Sequence, residues 1–290
     1  MSLETGRGKR ARRRVRDTVA QGIAYLGLAA VGAVLLIPFF WMVSTSLKPR
    51  GTEFLWPPQW IPNPAVPGNY VSGWTLMPFG VFLRNTMIIT IANMVGGITT
   101  SLMAAYGFSR LRFPYRDSLF VLCISTMMLP GMVTLIPQFI LFSRLGWVDT
   151  FLPLIVPNWL GASAFFIFLG RQFFSTIPAE LEDAAKVDGA SPYRTWWSLM
   201  LPLCKPVIAA MAIFSFQNNW NDFTGPLVYL RSPSKMTMAL GLNVMKGVYQ
   251  TDWNLLMAVS TTFSIPMIIL FFLAQRQFMR GIVTTGLAGR

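Results

Sequence analysis

Long stretches without a charged residue recur along this chain, and they limit its possible folds more than any other feature. Charged side chains make up only 12% of the 290 residues, about half the fraction usual for a soluble domain. Since about 20 apolar residues in a helix cross the hydrocarbon core of a bilayer, the pattern predicts a membrane protein. The charge-free runs occupy residues 18–47, 54–83, 85–109, 118–143, 150–170, 206–221 and 253–275.

One of these runs, 54–83, is too rich in proline to form a regular helix. Its backbone groups would be left unpaired in hydrocarbon, so we interpret it as a loop outside the membrane. The fold class predicted from the remaining runs is an all-α membrane protein with six transmembrane helices. The predicted spans are 22–46, 83–107, 118–142, 151–170, 206–229 and 254–275.

Basic residues are distributed unevenly between the two sets of connecting segments. Most of the 24 lysines and arginines lie in the N-terminus, in loop 108–117, in loop 171–205 and in the C-terminus. Positively charged segments stay on the cytoplasmic side, so both termini are predicted to be cytoplasmic. The predicted organisation is a basic N-terminus, 1–21, a six-helix domain, 22–275, and a tail, 276–290. The N-terminus is expected to contact anionic membrane lipid rather than nucleic acid.

Histidine is absent from the chain, which removes the commonest general base and metal ligand. The cysteines, Cys123 and Cys204, lie in or beside apolar segments without metal-ligand spacing, and we expect buried, unreactive thiols. No catalytic residue, metal or cofactor is predicted, and an enzyme is disfavoured.

The longest polar stretch between spans lies in loop 171–205 and reads LEDAAKVDGASPYRTWWSLMLP from 181 to 202. Thr176 and Pro178 are suited to begin a helix, Gly189 to end it, and Ser191 with Pro192 to begin a second. The sequence therefore predicts two short helices joined at Gly189 on the cytoplasmic face.

Two interpretations of this loop are open from the residues alone. Small and apolar side chains suit a helix that sits in a groove of a partner protein, whereas an amphipathic connector would rest on lipid headgroups. The small residues are Ala184 and Ala185, and the apolar anchors are Leu181, Val187, Trp196, Trp197 and Leu199.

The same loop resembles the inner-membrane permease subunits of bacterial ATP-binding-cassette importers. Their signature is Glu-Ala-Ala, three residues, Gly, nine residues and Ile-x-Leu-Pro. At that spacing this chain has Asp183, Ala184, Ala185, Gly189, Leu199 and Pro202. Asp replaces Glu and Leu replaces Ile, and both changes keep the chemistry.

Further segments are similar to the carbohydrate branch of that family, and to the maltose-type second permease subunit in particular. They are Asn85-Thr86, Ala104-Ala105-Tyr106, Arg110-Leu111-Arg112-Phe113, and Trp220-Asn221-Asp222 with Pro226. The resemblance covers about residues 20–290. It implies a multi-pass protein of the bacterial inner membrane that imports a sugar, a polyol or a glycerol phosphate type of solute.

The resemblance also implies partners. A pair of cytoplasmic ATPase subunits would dock on the loop around 178–202, a second homologous permease would complete a heterodimer, and an extracytoplasmic solute-binding protein would deliver the solute. Loops 47–80 and 230–253 are candidate docking surfaces for that binding protein. The chain has no phosphate-binding loop of the type G-x-x-x-x-G-K-[ST], so the energy would come from a partner.

Polar residues inside a span often mark a translocation pathway, and the densest cluster here lies at the end of the fifth predicted span. Its candidate pathway or gate residues are Asn218, Asn219, Asn221 and Asp222. Helix-to-helix hydrogen bonding is the structural alternative for these amides. The functional alternative is a secondary transporter driven by an ion gradient, a class that usually shows intramembrane acids and inverted repeats.

Overall fold

Helices account for the regular structure in the computed structural model, which describes residues 4–160, 163–247 and 251–287. No strand occurs within these ranges, so the all-α prediction is confirmed for them. The α-helices are α1 (Glu4–Ser46), α2 (Gly68–Leu76), α3 (Phe79–Arg110), α4 (Arg116–Ser125), α5 (Gly131–Arg144), α6 (Leu152–Leu160), α7 (Ala164–Ser175), α8 (Glu180–Val187), α9 (Pro192–Thr195), α10 (Leu201–Leu203), α11 (Lys205–Trp220), α12 (Thr224–Tyr229), α13 (Met238–Val244) and α14 (Trp253–Leu287).

Four helical segments of the described chain are long and apolar enough to cross a membrane: Thr18–Ser46, Phe79–Arg110, Leu152–Ser175 and Trp253–Leu273. Two bent helix pairs, Arg116–Met128 with Gly131–Arg144 and Pro192–Leu203 with Lys205–Trp220, bring the number to six if each pair is one span. The predicted number of six therefore holds only on that reading, and the orientation of the termini stays a prediction.

The ends of the chain continue the terminal helices. Helix α1 begins at Glu4, so most of the segment predicted as a separate N-terminus, 1–21, is helical and runs into the first span. Helix α14 reaches Leu287 and includes most of the predicted tail, 276–290. Residues 1–3 and 288–290 lie outside the described residues.

The third predicted span is broken at Pro130. Leu129 is extended, as a residue before proline prefers, and α5 starts at Gly131 after a bend of 98°. Pro130 thus separates α4 from α5, while Pro137 and Pro157 lie inside α5 and α6.

Two predicted boundaries were wrong. The fifth span was predicted to run to 229, but α11 ends at Trp220 and a separate helix, α12, follows. Asp222 lies just before Phe223, the N-cap of α12, and its Oδ1 accepts a hydrogen bond from Gly225 N at 3.1 Å, which holds the first turn of the new helix. The run 54–83 was predicted as loop throughout, but it contains α2, which starts just after Pro67.

The chain divides into two compact units. The first comprises 1–73 and 251–261. Within it the Asn69 amide donates to the carbonyl oxygens of Ser46 and Lys48 at 2.9 and 2.8 Å, which holds α2 against the end of α1. Gly73 leaves room for close contact, since a Cβ there would lie 3.1 Å from the Leu255 carbonyl oxygen.

The second unit comprises 74–250 and 262–290 and is organised around α3, which packs against α6, α7 and α11. Glycines permit the closest approaches. A Cβ on Gly96 would lie 2.1 Å from the Trp159 indole, and one on Gly170 would lie 2.8 Å from the Ala105 Cβ. The core of this unit includes Leu102, Ala105, Phe174, Met200 and Met211.

Candidate functional site: the two-helix loop and a polar cavity

The first helix of the polar loop is α8, and it begins later than predicted. Its N-cap is Ala179, whereas Thr176 ends α7 and donates its hydroxyl hydrogen to the Phe173 carbonyl oxygen at 2.7 Å. The first turn of α8 is acidic, which suits the positive end of the helix dipole. Lys186 in the last turn pairs with Asp183 at 2.9 Å.

A left-handed residue joins the two helices of the loop, as predicted. Gly189 has φ of +75°, a conformation that glycine adopts without steric cost. The N–H groups of Gly189 and Ala190 then bond back to the carbonyl oxygens of Lys186 and Ala185 at 2.9 Å each. These two bonds close the C-terminal end of α8.

Ser191 caps the second helix, and its Oγ accepts from Arg194 N at 3.3 Å. Pro192 is the first helical residue. The helix continues through one π-helical stretch, Trp196–Met200, into α10, so it is longer than predicted. We call residues 178–202, which hold both helices, the coupling loop.

Neighbouring tryptophans in the coupling loop face different environments. Trp197 is 49% exposed, whereas Trp196 is 5% exposed and packs against the rings of Tyr106 and Phe174 at centroid distances of 5.3 and 5.9 Å. The prediction that Trp196 is available to a partner was therefore wrong. The exposed large apolar side chains of the coupling loop are Leu181, Val187, Tyr193, Trp197 and, at 40% exposed, the adjoining Leu203.

The signature residues are spread along both helices of the coupling loop. Asp183, Ala184, Gly189 and Pro202 are exposed, whereas Ala185 and Leu199 are half-buried. The structure thus places most of this pattern on the uncovered side of the loop.

Sequence reasoning missed the residue that joins the coupling loop to the spans. Arg110, the last residue of α3, donates to the carbonyl oxygens of Phe174 in the last turn of α7 and of Ile177 just beyond it. Its Nε also lies 3.3 Å from Glu182 Oε1 on α8, and both side chains are nearly buried. The sequence shows a basic segment at 110–113 and an acidic one at 181–183. No local pattern in the sequence indicates that Arg110 and Glu182 contact each other.

Glu182 is held in an environment that disfavours its charge. Burial raises the pKa of its carboxyl above the ordinary value, and the nearby Arg110 guanidinium offsets only part of that effect. The pair is an ion pair without a hydrogen bond, because neither Arg110 Nε nor Glu182 Oε1 has a hydrogen-bond partner among the described residues. The bonds to the two carbonyls therefore fix Arg110 to the chain just before the coupling loop, and the ion pair with Glu182 is its contact with the loop itself.

A polar cavity of about 260 Å³ lies where α3, α11 and the ends of α6 and α7 meet. Its amides are Asn93, Asn158, Asn218 and Asn219. Its hydroxyls are Ser163 and Ser215, and Asp222 is the only charged side chain among the described lining residues. Three of the four candidate pathway residues thus line one space, whereas Asn221 is exposed and does not.

An interruption in the fourth predicted span contributes to this cavity. Helix α6 ends at Leu160, and α7 begins at Ala164 with Ser163 as its cap. The Ser163 N–H donates to Ser101 Oγ on α3 at 3.1 Å. Broken helices line the binding sites of many transporters, because their free ends offer polar backbone groups.

The family model for the binding-protein-dependent transport system inner membrane component matches residues 97–283. The chain belongs to this family. The permease resemblance predicted from residues 183–202 is therefore confirmed, as is the location in the bacterial inner membrane. Members are permease components of ATP-binding-cassette importers, in which a separate subunit hydrolyses ATP.

Named relatives cover almost all of this permease. It is 31% identical over 273 residues to the probable ABC transporter permease protein YurM of Bacillus subtilis, covering 91% of this chain and 90% of the relative. It is 34% identical over 279 residues to the sn-glycerol-3-phosphate transport system permease protein UgpE of Pectobacterium atrosepticum, covering 93% and 97%.

A solved structure shares the fold. A chain of a bacterial ABC transporter involved in the import of the acidic polysaccharide alginate superposes with a TM-score of 0.78 at 21% identity, covering 90% of this permease and 96% of that chain. The alginate transporter has also been solved in complex with a periplasmic protein bound to an alginate pentasaccharide, and a chain of that complex matches with a TM-score of 0.67 at 13% identity, covering 91% and 96%.

Proposed function

We propose that this permease moves a sugar, a polyol or a glycerol phosphate type of solute into the cell and that an ATPase subunit docked on the coupling loop, residues 178–202, drives the movement. The observation that carries the proposal is the shape of that loop. Two helices meet at Gly189, the first turn of one of them holds three acidic residues, and several large apolar side chains are left uncovered by this chain: Leu181, Val187, Tyr193 and Trp197. An amphipathic helix pair with an uncovered apolar side is suited to a groove in a partner.

Charge favours a protein partner over the lipid surface for this loop. Glu180 and Asp183 are exposed in the first turn of α8, and anionic headgroups would repel them. A basic rim around a groove on the ATPase would attract them instead.

The loop has a direct mechanical route to the spans. A push on α8 reaches α3 and the end of α7 through Glu182 and Arg110, while a push on the second helix reaches the core through Trp196. Both contacts lie among packed side chains, so a displaced loop would carry the attached helices with it and alternate the access of the pathway.

This solute class is supported by the similar proteins, whose named solutes are a glycerol phosphate and a polysaccharide, and by the amides of the polar cavity. We expect the second permease to complete the pathway and an extracytoplasmic binding protein to deliver the solute, with loops 47–80 and 230–253 as its candidate contacts. Residues 248–250 of the second loop lie outside the described part of the chain.

Uptake into proteoliposomes that contain the complete transporter tests this function. We expect accumulation of a radiolabelled sugar to require ATP and the binding protein, and to continue when ionophores collapse the proton and sodium gradients. Accumulation that needs an ion gradient but no ATP would identify a secondary transporter instead.

A further inference from the structure

The polar cavity has a charge and hydrogen-bonding pattern that selects among solutes. We propose that it is a binding site of this subunit for an uncharged, hydroxyl-rich unit of the solute, and that it disfavours anions. This inference rests on the proposed function, since it names the substrate class for that pathway.

Asn93 provides the first observation. Its amide nitrogen donates to the Leu154 carbonyl oxygen at 3.0 Å and to Asn219 Oδ1 at 2.5 Å, which fixes the side chain with its own oxygen as acceptor. That oxygen, on a residue 3% exposed, has no hydrogen-bond partner among the described residues. A buried acceptor without a donor is costly, so an occupant of the cavity is expected to bring a hydroxyl or N–H group.

The charge of the lining is the second observation. Asp222 is the only ionisable side chain among the described lining residues, and its Oδ1 accepts a hydrogen bond from Gly225 N at 3.1 Å. As a carboxylate it offers acceptors only. No basic side chain lines the cavity within the described ranges. A phosphate or carboxylate brings acceptors and negative charge to a space that already has both, whereas a sugar hydroxyl is donor and acceptor at once.

The size and shape of the cavity limit the occupant. About 260 Å³ lies near the lower edge of the roughly 300–1,000 Å³ usual for small-molecule pockets, which suits one sugar ring or a short polyol. Phe166 provides an apolar wall beside the amides, as an amphipathic sugar face requires. The similar proteins named above include carriers of a glycerol phosphate and of an acidic polysaccharide. This chain is therefore expected to differ from them in the charge of its solute.

Thiol labelling tests the charge preference without knowledge of the solute. Asn218→Cys places a thiol on the cavity lining, and Gln217→Cys places one on the neighbouring exposed residue outside it. Both are made with Cys123→Ala, while Cys204 is fully buried and is kept. The labels are a cationic and an anionic methanethiosulfonate of similar size, applied to the complete transporter in membrane vesicles.

We expect the cationic label to react with Asn218→Cys faster than the anionic one by a ratio about tenfold larger than at Gln217→Cys, since one nearby carboxylate in a low-dielectric cleft has an effect of this order. Asp222→Asn should remove most of the difference. Millimolar maltose or sorbitol should slow labelling at 218, and sn-glycerol 3-phosphate should not.

Equal ratios at the two positions, or protection by the phosphate as strong as that by the neutral sugars, would overturn the inference. These readouts need no ATP hydrolysis. A failure of ATP-driven uptake would therefore refute the proposed function separately, and normal ATP-driven uptake with equal labelling ratios would refute only the inference.

Discussion

The joint between Arg110 and Glu182 leads to a prediction in which the two partners have very different importance. Arg110→Met removes charge-assisted hydrogen bonds to the carbonyl oxygens of Phe174 and Ile177 and leaves Glu182 without its cation. Each such bond contributes about 1.5–3 kcal/mol, so the loss of both should cost about 3–6 kcal/mol of stability. The unpaired carboxylate of Glu182 should add about 1–2 kcal/mol.

Glu182→Gln should cost little, about 1 kcal/mol or less, because the pKa of Glu182 is raised by burial. A carboxyl whose pKa is higher in the folded protein contributes stability that is complete below its unfolded pKa, about 4.3, and that is lost as the pH rises through the folded value. Below about pH 4.3 the glutamine, which never ionises, should therefore be about as stable as the parent, and the parent should fall relative to it as the pH is raised through the folded pKa of Glu182.

The double variant completes the cycle. In Arg110→Met/Glu182→Gln no unpaired carboxylate remains, so about 1–2 kcal/mol of the loss should be recovered. Thermal unfolding in mild detergent measures the order, which should be parent and Glu182→Gln, then the double variant, then Arg110→Met. Arg112→Met, an exposed arginine two residues further on, is the matched control and should be neutral. If Glu182→Gln proves as damaging as Arg110→Met, the assignment of the carbonyl bonds as the main restraint is wrong.

Three further predictions follow from the backbone and the loops. Gly189→Arg should leave membrane insertion intact but uncouple ATP hydrolysis from uptake, because φ is +75° there. Gly146→Arg, at φ +69° outside the coupling loop and both candidate contact loops, is the control, and normal uptake by the Gly189 variant would contradict the account. Gly96→Ala should lower the stability by about 1–3 kcal/mol, since its Cβ would lie 2.1 Å from the Trp159 indole. Gly97→Ala is the control and should be tolerated, because the atom nearest to its Cβ would lie 3.7 Å away. Equal melting temperatures of the two variants would contradict the prediction and show that the Trp159 ring relaxes. Asp149→Asn should lower the melting temperature at pH 7, because hydrogen bonds from a serine hydroxyl and two backbone N–H groups hold the pKa of Asp149 well below its usual range. The difference in melting temperature between parent and variant should shrink only as the pH falls below about 4 towards that depressed pKa. A difference that is constant with pH would refute this origin.

The spans and the turn at Gly189 could be predicted from the sequence because each depends on local physics. Charge-free length determines a membrane helix, and a glycine after a helical run marks a left-handed end. The spacing of the signature residues from Asp183 to Pro202 also located the coupling loop in the sequence. Two helices of fixed length keep a fixed number of residues between their signature positions.

Other features depend on contacts between residues far apart in the chain and could not be read locally. The pairing of Arg110 with Glu182 requires the end of α3 to meet α8. Trp196 and Trp197 are chemically identical neighbours, and only the packing of Tyr106 and Phe174 decides which one is buried. The end of α11 was missed because the bond from Gly225 N to the Asp222 carboxyl holds the first turn of a separate helix soon after Trp220.

The polar cavity was predictable only in part. Asn218 and Asp222 are four residues apart, so their position on one helix face can be predicted from the sequence. Asn93, Asn158 and Ser163 come from other helices, and their convergence follows from the packing of α3 against the interrupted fourth span.

Capture of the ATPase by the coupling loop tests the central claim most directly. The tagged permease would be solubilised in mild detergent from cells that contain the whole transporter, alongside a variant with Asp183, Ala184, Ala185 and Gly189 all altered and with insertion verified. We predict that the parent retains a cytoplasmic ATPase subunit and that the variant loses it while still retaining its partner permease. Equal retention by both, or no ATPase with the parent although the subunit is present in the cells, would contradict the account.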